Sequence, residues 1–257
     1  MVKEVKDIVT VTTNRQVKKT NSNVIVTCLT GDYEKPTDGF KKENGFDYIL
    51  FCDKEIETKS WECVVVEFKD GNNLSHTKKQ RFVKTHLCEL LGEYDLVIYV
   101  DANTIIDKKL YDYINKHKNN VVTFKKHARN CVYKEIEACR KIGKENNEVL
   151  DIVKKRLEEE KYPKNNGLFE NNIIVLKPND ENVNRLMRLW WNEIYYYSKR
   201  DQLSLNYVIW KNKLNKLISS AITRDFPPKK HTEEETIKPL NVPIKNKKNV
   251  INPLSSW

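Results

Sequence analysis

The chain has 257 residues, 39% of them hydrophobic, with 46 Lys and Arg against 36 Asp and Glu and a net charge of +10. That length and apolar content suit one large α/β domain, or less simply two small ones, and no stretch approaches the roughly 18–20 apolar residues of a membrane span. The basic balance favours anionic partners, but Lys and Asn are spread along the whole chain, so much of the charge is ordinary solvated surface.

After a polar lead over 1–22, which lacks the apolar core of a signal peptide, "NVIVTCL" (23–29), "DYILFC" (47–52) and "ECVVVEF" (62–68) predict short strands. A helical stretch follows, with Phe82, Val83, Leu87, Leu90 and Leu91 on one side and Lys78, Arg81 and Lys84 on another. "DLVIYVD" (95–101) predicts a strand, then come a helix over 108–117, a strand "NVVTFK", and helices over 132–143 and 146–160. "GLFENNIIVLKP" (167–178) is another strand, and further helices begin near Asp180 and Asp201. The tail over 232–257 is rich in Lys, Asn and Pro, with little periodicity.

Alternating strands and helices predict a single α/β domain whose mostly parallel central sheet is covered by helices on both faces, with ligands gathering at the carboxyl ends of the strands. There are only 7 glycines and neither a G-x-G-x-x-G nor a Walker loop, so phosphate must be held by a metal and basic side chains instead. The six cysteines form no C-x-x-C pair and read as buried thiols of a reducing compartment. His127, Cys131 and Cys139 lack the second ligand pair of a structural zinc set. The chain is expected to be soluble and cytoplasmic.

The strand over 95–101 runs into Asp101-Ala102-Asn103. Oxygen donors at a strand end can hold a divalent cation against a phosphate, and the same letters can simply make a turn. Other segments add to this one: "TCLTGDYEKP", "QRFVKTHLCELLGEYDLVIYVDAN" with Arg81, Lys84, His86, Tyr94, Asp95 and Asp101, "HARNCVYKEIEAC", "GLFENNIIVLK", "LMRLWWNEI" and "SKRDQLSLNYVIWK". Together they resemble the GT-A (Rossmann-like) glycosyltransferases, and more narrowly the glycosyltransferase-like family of plant mucilage-related proteins, formerly a domain of unknown function. The likeness runs over about 23–231. It departs from the family's D-x-D at Asn103, which offers a carbonyl oxygen but no charge.

The resemblance implies transfer of a sugar, hexosyl or pentosyl, from a nucleotide-diphosphate donor, expected to be a UDP-sugar, onto a glycan or other hydroxyl acceptor, with Mn²⁺ or Mg²⁺ as cofactor. On the donor side it points to Thr30, Gly31 and Tyr33 after the first strand, with Tyr33 able to stack on the base. Asp53, at the end of "YILFC", is placed either to accept from base or ribose or to make a turn. The resemblance raises Arg81 and Lys84 to diphosphate partners and leaves Lys78 a solvated lysine. Metal donors are Asp101 and Asn103, with His231 as the late histidine of many GT-A enzymes. On the sugar and acceptor side stand His127 and Arg129, with local loop bonding as their alternative, and Glu170 near Gly167, where a glycine lets backbone approach a ligand. Asp201 and Gln202 form the D-Q near the transferred sugar, and Asp201 also reads as the N-cap of its helix. As the catalytic group Asp201 either takes the acceptor's proton or stabilises the developing oxocarbenium. His86, Trp190 and Trp191 read as core. Two rivals stay open: a non-catalytic nucleotide- or glycan-binding module of the same fold, and a basic nucleic-acid-binding protein, which the dispersed lysines and missing motifs disfavour.

Overall fold

The computed structural model describes residues 4–6, 9–31, 35–69 and 74–221, the first of these by backbone alone. Nine strands form one sheet: β1 (Glu4–Lys6), β2 (Thr10–Thr13), β3 (Asn23–Leu29), β4 (Phe46–Cys52), β5 (Glu62–Phe68), β6 (Leu96–Val100), β7 (Val122–Lys126), β8 (Phe169–Leu176) and β9 (Ile218–Ala221), in the order β1-β2-β5-β4-β3-β6-β8-β7-β9. The helices are α1 (His76–Thr85), α2 (Leu87–Leu91), α3 (Lys108–His117), α4 (Val132–Lys141), α5 (Asn147–Glu159), α6 (Glu181–Tyr196) and α7 (Leu205–Lys211).

The four central strands β5-β4-β3-β6 are parallel. Their apolar, β-branched runs suit strands buried on both faces, and every residue of β6 is buried. Helix α3 packs its Leu110, Tyr113 and Ile114 on one face. The other face is covered by Phe82 and Val83 of α1, Leu90 of α2, and the stripe of α6, which repeats Val183, Leu186, Met187, Trp190, Trp191 and Ile194 at helical spacing. Asp180 caps α6 through the amides of Asn182 and Val183, as Asp107 and Asn146 cap α3 and α5.

Two features of topology place the cleft. The chain winds from β3 outward through β4 to β5 and then returns to β6 on the other side of β3, so β3 and β6 flank a switch point. Strand β8 is antiparallel to both β6 and β7. Its first residues therefore lie at the edge where β3, β4, β6, β7 and β9 end.

Several boundaries differ from expectation. The polar lead contributes β1 and β2, and the alternation of Val9, Val11 and Thr13, all buried, explains why β2 adds to the edge of β5. Strand β9 was not foreseen in a segment with only Ile218 and Ala221 as apolar residues. The helical stretch through 77–94 is broken at His86, whose backbone N–H still donates to Phe82 and Val83 while its buried ring stacks on Phe82 at 3.8 Å. Trp190 and Trp191 are core, as expected.

The lead is fastened to the central sheet by Asp47 of β4. Its carboxylate accepts five hydrogen bonds, from the amide and hydroxyl of Thr20, the amide and side chain of Asn21, and the hydroxyl of Tyr94. Burial works to raise this carboxyl, but the bonds from Thr20 and Asn21 outweigh it and bring it down to about 2. Asp47→Ala should cost about 3 kcal/mol in urea unfolding at pH 7. Because the folded value lies below the unfolded one, the ionic part, about 2 kcal/mol, is present above about pH 4 and disappears as pH falls toward 2. Equal acid sensitivity of the variant and the unaltered chain over that window would contradict this role.

Candidate active site

At the carboxyl ends of β3 and β4, Gly31 donates its backbone N–H to Asp53 at 2.9 Å, and Asp53 meets Nδ1 of His76 at 3.1 Å. The hydroxyl of Thr30 donates to the carbonyl of His76 at 2.6 Å, tying the start of α1 to β3. Gly31 has φ +71°, and a Cβ there would lie 2.8 Å from the His76 ring, so both the backbone and the close approach require glycine. Thr30, Gly31 and Asp53 are thus brought together as expected, and His76 joins them unforeseen. Tyr33 lies outside the described residues.

Across the switch point stands a charged cluster. Lys84 of α1, 1% exposed, places its Nζ 3.0 Å from Oδ2 of Asp201 and 3.4 Å from Oδ1 of Asp101. Nε of Arg81, one turn earlier, is 3.3 Å from the same Asp201 oxygen. The Tyr99 hydroxyl donates to Asp101 Oδ1 at 3.3 Å, its ring lies under Lys84 at 4.6 Å, and Gln80 bridges Tyr99 and Arg81. Helix α1 supplies Gln80, Arg81 and Lys84 from one face, β6 ends in Asp101, and a short turn over Asp201–Leu203 brings in the second carboxylate, its carbonyl held by the Trp190 indole at 3.0 Å.

Burial alone would raise the Asp201 carboxyl, but Arg81, Lys84 and Arg200 outweigh it and hold it far below the usual carboxylate range. Burial pushes the Lys84 ammonium down from its ordinary value, an effect partly offset by Asp201 and Asp101. For Arg81 the two carboxylates overcome burial and raise it further. Among the described residues two cations pair directly with two carboxylates, and Arg200 adds a further positive charge that acts on Asp201.

Three expectations are corrected. Asp201 does not cap its helix: its carboxylate makes no capping bond, and α7 starts four residues later. The buried cations Lys84 and Arg81 compete for that carboxylate and win. Lys84, for its part, is no outward phosphate ligand, being enclosed behind the two carboxylates, while Arg81 keeps a side-chain exposure of 14%. Lys78 is not a solvated lysine either, since it donates to the carbonyl of Tyr195 at 2.7 Å.

The expected sugar-side residues are placed nearby and bonded locally. His127 accepts the amide of Arg129 at 2.9 Å, and Arg129 pairs with Glu135. Glu170 pairs with Lys125 at 2.5 Å. Gln202 donates to the carbonyl of Phe169 at 3.3 Å. Sequence reasoning passed over Tyr99 and Gln80, which sit in apolar or solvated contexts. It also passed over Asn171 and Asn172, buried amides at the start of β8 with side-chain atoms that find no partner among the described residues. The signal for that pair was two consecutive amides directly before a buried apolar run.

Among the described residues no group of three or more His, Cys, Asp or Glu side chains is arranged to hold a metal. Asp101 and Asn103 nevertheless fit two oxygen donors of an incomplete shell. Asn103 Oδ1 is buried without a partner, and its turn is fixed by the amide of Thr104 donating to Asp101 and that of Thr37 donating to Ala102. His231 lies outside the described residues.

The family profile described as "TOD1/MUCI70, glycosyltransferase-like domain" matches residues 54–230. No curated protein matches the chain. Among solved structures, the apo form of WbbM, described as a bifunctional glycosyltransferase, is similar with a TM-score of 0.47 at 12% identity, covering 81% of this chain and 40% of that one. Mouse xyloside xylosyltransferase 1 in its apo form gives a TM-score of 0.44 at 9% identity, covering 77% of this chain and 85% of that one. The present chain therefore spans less than half the length of the WbbM chain.

Removing the Asp201 carboxylate leaves Lys84 and Arg81 without their shared counter-ion. Asp201→Ala should cost about 3–5 kcal/mol in urea unfolding, against about 1 kcal/mol for a lost helix cap. Adding Lys84→Met to that variant should recover part of the loss in a double-mutant cycle. A small effect with no coupling would show that the pair is not what holds the turn.

Proposed function

The chain belongs to the TOD1/MUCI70 glycosyltransferase-like family, and on that premise we propose that it transfers a sugar from a nucleotide-diphosphate donor, UDP-linked, to a hydroxyl of a glycan or other acceptor. The observation that carries the proposal is the pairing across one switch point of a corner where Gly31 meets Asp53 and the cluster of Arg81, Lys84, Asp101 and Asp201.

Breaking the glycosidic bond builds negative charge on the departing diphosphate. The partly exposed Arg81 is suited to receive that charge with a guanidinium fork, and Lys84 supports it from behind by fixing both carboxylates. Because Arg81 and Lys84 are already paired with carboxylates, an arriving diphosphate gains from further positive charge, and this favours a divalent ion, Mn²⁺ or Mg²⁺, which Asp101 and Asn103 would hold. Such an ion supplies neutralisation of the leaving diphosphate. Asp101 and Asn103 orient around a fixed turn, so their oxygens need no rearrangement to meet it.

Asp201 supports an electrostatic role over a proton-accepting one. A general base works best with a pKa near the operating pH, whereas this carboxyl is held far below it and is 3% exposed. An ionised carboxylate beside the reacting sugar stabilises positive charge at its anomeric carbon.

Titration of the purified chain with UDP in a calorimeter, with and without Mn²⁺, tests the donor and the metal together. Metal should tighten UDP binding at least tenfold, and Asp101→Asn should abolish that gain while leaving the melting temperature within a few degrees. UDP release from a panel of UDP-sugars tests the reaction. Tight UDP binding with no release from any sugar would indicate the non-catalytic module, and no UDP binding at all would remove the donor assignment.

A further inference from the structure

Beside the charged cluster, at the edge where β7 and β9 end and β8 begins, lies a cavity of about 170 Å³. Four of its described lining side chains are amides, Asn130, Asn166, Asn206 and Asn215, and none of the described lining residues is a carboxylate. Phe169, Ile209 and Ile218 give it an apolar wall.

Asn206 is the informative member. It is 6% exposed, and its Oδ1 accepts the backbone N–H of Phe169 at 3.0 Å. Its Nδ2 donates to no group among the described residues. Gly167, with φ +87°, faces that nitrogen so closely that a Cβ would come within 3.0 Å of it. A side chain at 167 would therefore cover the amide, and glycine leaves it open to the cavity. That open nitrogen is a donor that a ligand or water entering the cavity can meet.

The cavity is also tied to the transfer site. Gln202 donates to the carbonyl of the same Phe169 whose N–H Asn206 holds, so one backbone unit links the Asp201–Gln202 turn to the cavity wall. We propose that this cavity is the acceptor subsite and binds one hydroxyl-bearing pyranose ring of a neutral glycan, an assignment that rests on the glycosyl-transfer reading above. Planar amides donate and accept at fixed angles, matching neighbouring hydroxyls that do both. The apolar wall suits the C–H face of a sugar ring, as binding pockets commonly pair an apolar wall with a few oriented polar groups. Among the described lining residues Lys126 is the one charged side chain, a lining that suits a neutral ligand.

The test uses saturation-transfer NMR on the full chain without nucleotide, with methyl β-glucopyranoside, methyl β-galactopyranoside and methyl β-xylopyranoside as probes. At least one should bind. Asn206→Asp keeps an acceptor for the Phe169 N–H while exchanging the free donor for a charged acceptor, and it should weaken binding about tenfold. Ser220→Phe, an exposed substitution in the cavity lining, should block it without touching the core. Both variants should retain the melting temperature and the UDP affinity of the unaltered chain. Binding of none of the glycosides, or undiminished binding in both variants, would overturn the subsite. Because the glycoside measurement needs no nucleotide, a failure of UDP binding would count against the donor reading alone.

Discussion

Lys84 holds a positive charge where water hardly reaches it. Removing an ammonium from water costs several kcal/mol unless counter-charges and hydrogen bonds replace the lost solvation. That cost decides where two carboxylates must stand. Asp101 arrives on the end of a central strand, and Asp201 is drawn inward on a short turn that the Trp190 indole then locks to α6. The cleft is the space between the groups that this one ammonium requires, and its floor is rigid because every charge in it is already bonded to another.

The rest of the edge follows from this pairing. Cations already paired with carboxylates offer an anion less attraction than free ones, so geometry and what the ligand brings weigh more in affinity. The buried amides Asn171 and Asn172 add dipoles without charge beside Asp101. Such a floor can recognise a polar ligand by direction while contributing little non-specific pull. This contrasts with the +10 of the whole chain, whose lysines are dispersed along the sequence.

The central strands were legible because each is a run of β-branched and apolar residues buried on two faces, and Asp101 was legible because it interrupts such a run. Strand β2 was missed because its alternating "VTVTT" buries only one face and sits in an otherwise polar lead. The break at His86 was invisible because the apolar spacing continues through it into α2. Asp201 was read both as a helix cap and as a group near the transferred sugar; an Asp before an apolar stripe signals a cap, and only the fold shows that two cations from 117 and 120 positions upstream in the chain claim its carboxylate instead. Ion pairs of that separation leave no periodic trace. The amide-lined cavity is hidden for the same reason, since its asparagines come from four separate segments of an asparagine-rich chain.

Strand β8 runs against both neighbours, so the chain enters it at the edge where the others leave. The connection from α5 into β8, residues 160–168, consequently reaches that edge, while the corner of Gly31 and Asp53 is built at the ends of β3 and β4 far earlier in the chain. Lengthening or shortening the late connection would reshape one side of the edge without disturbing the early corner, which gives evolution and engineering a separable handle on this fold.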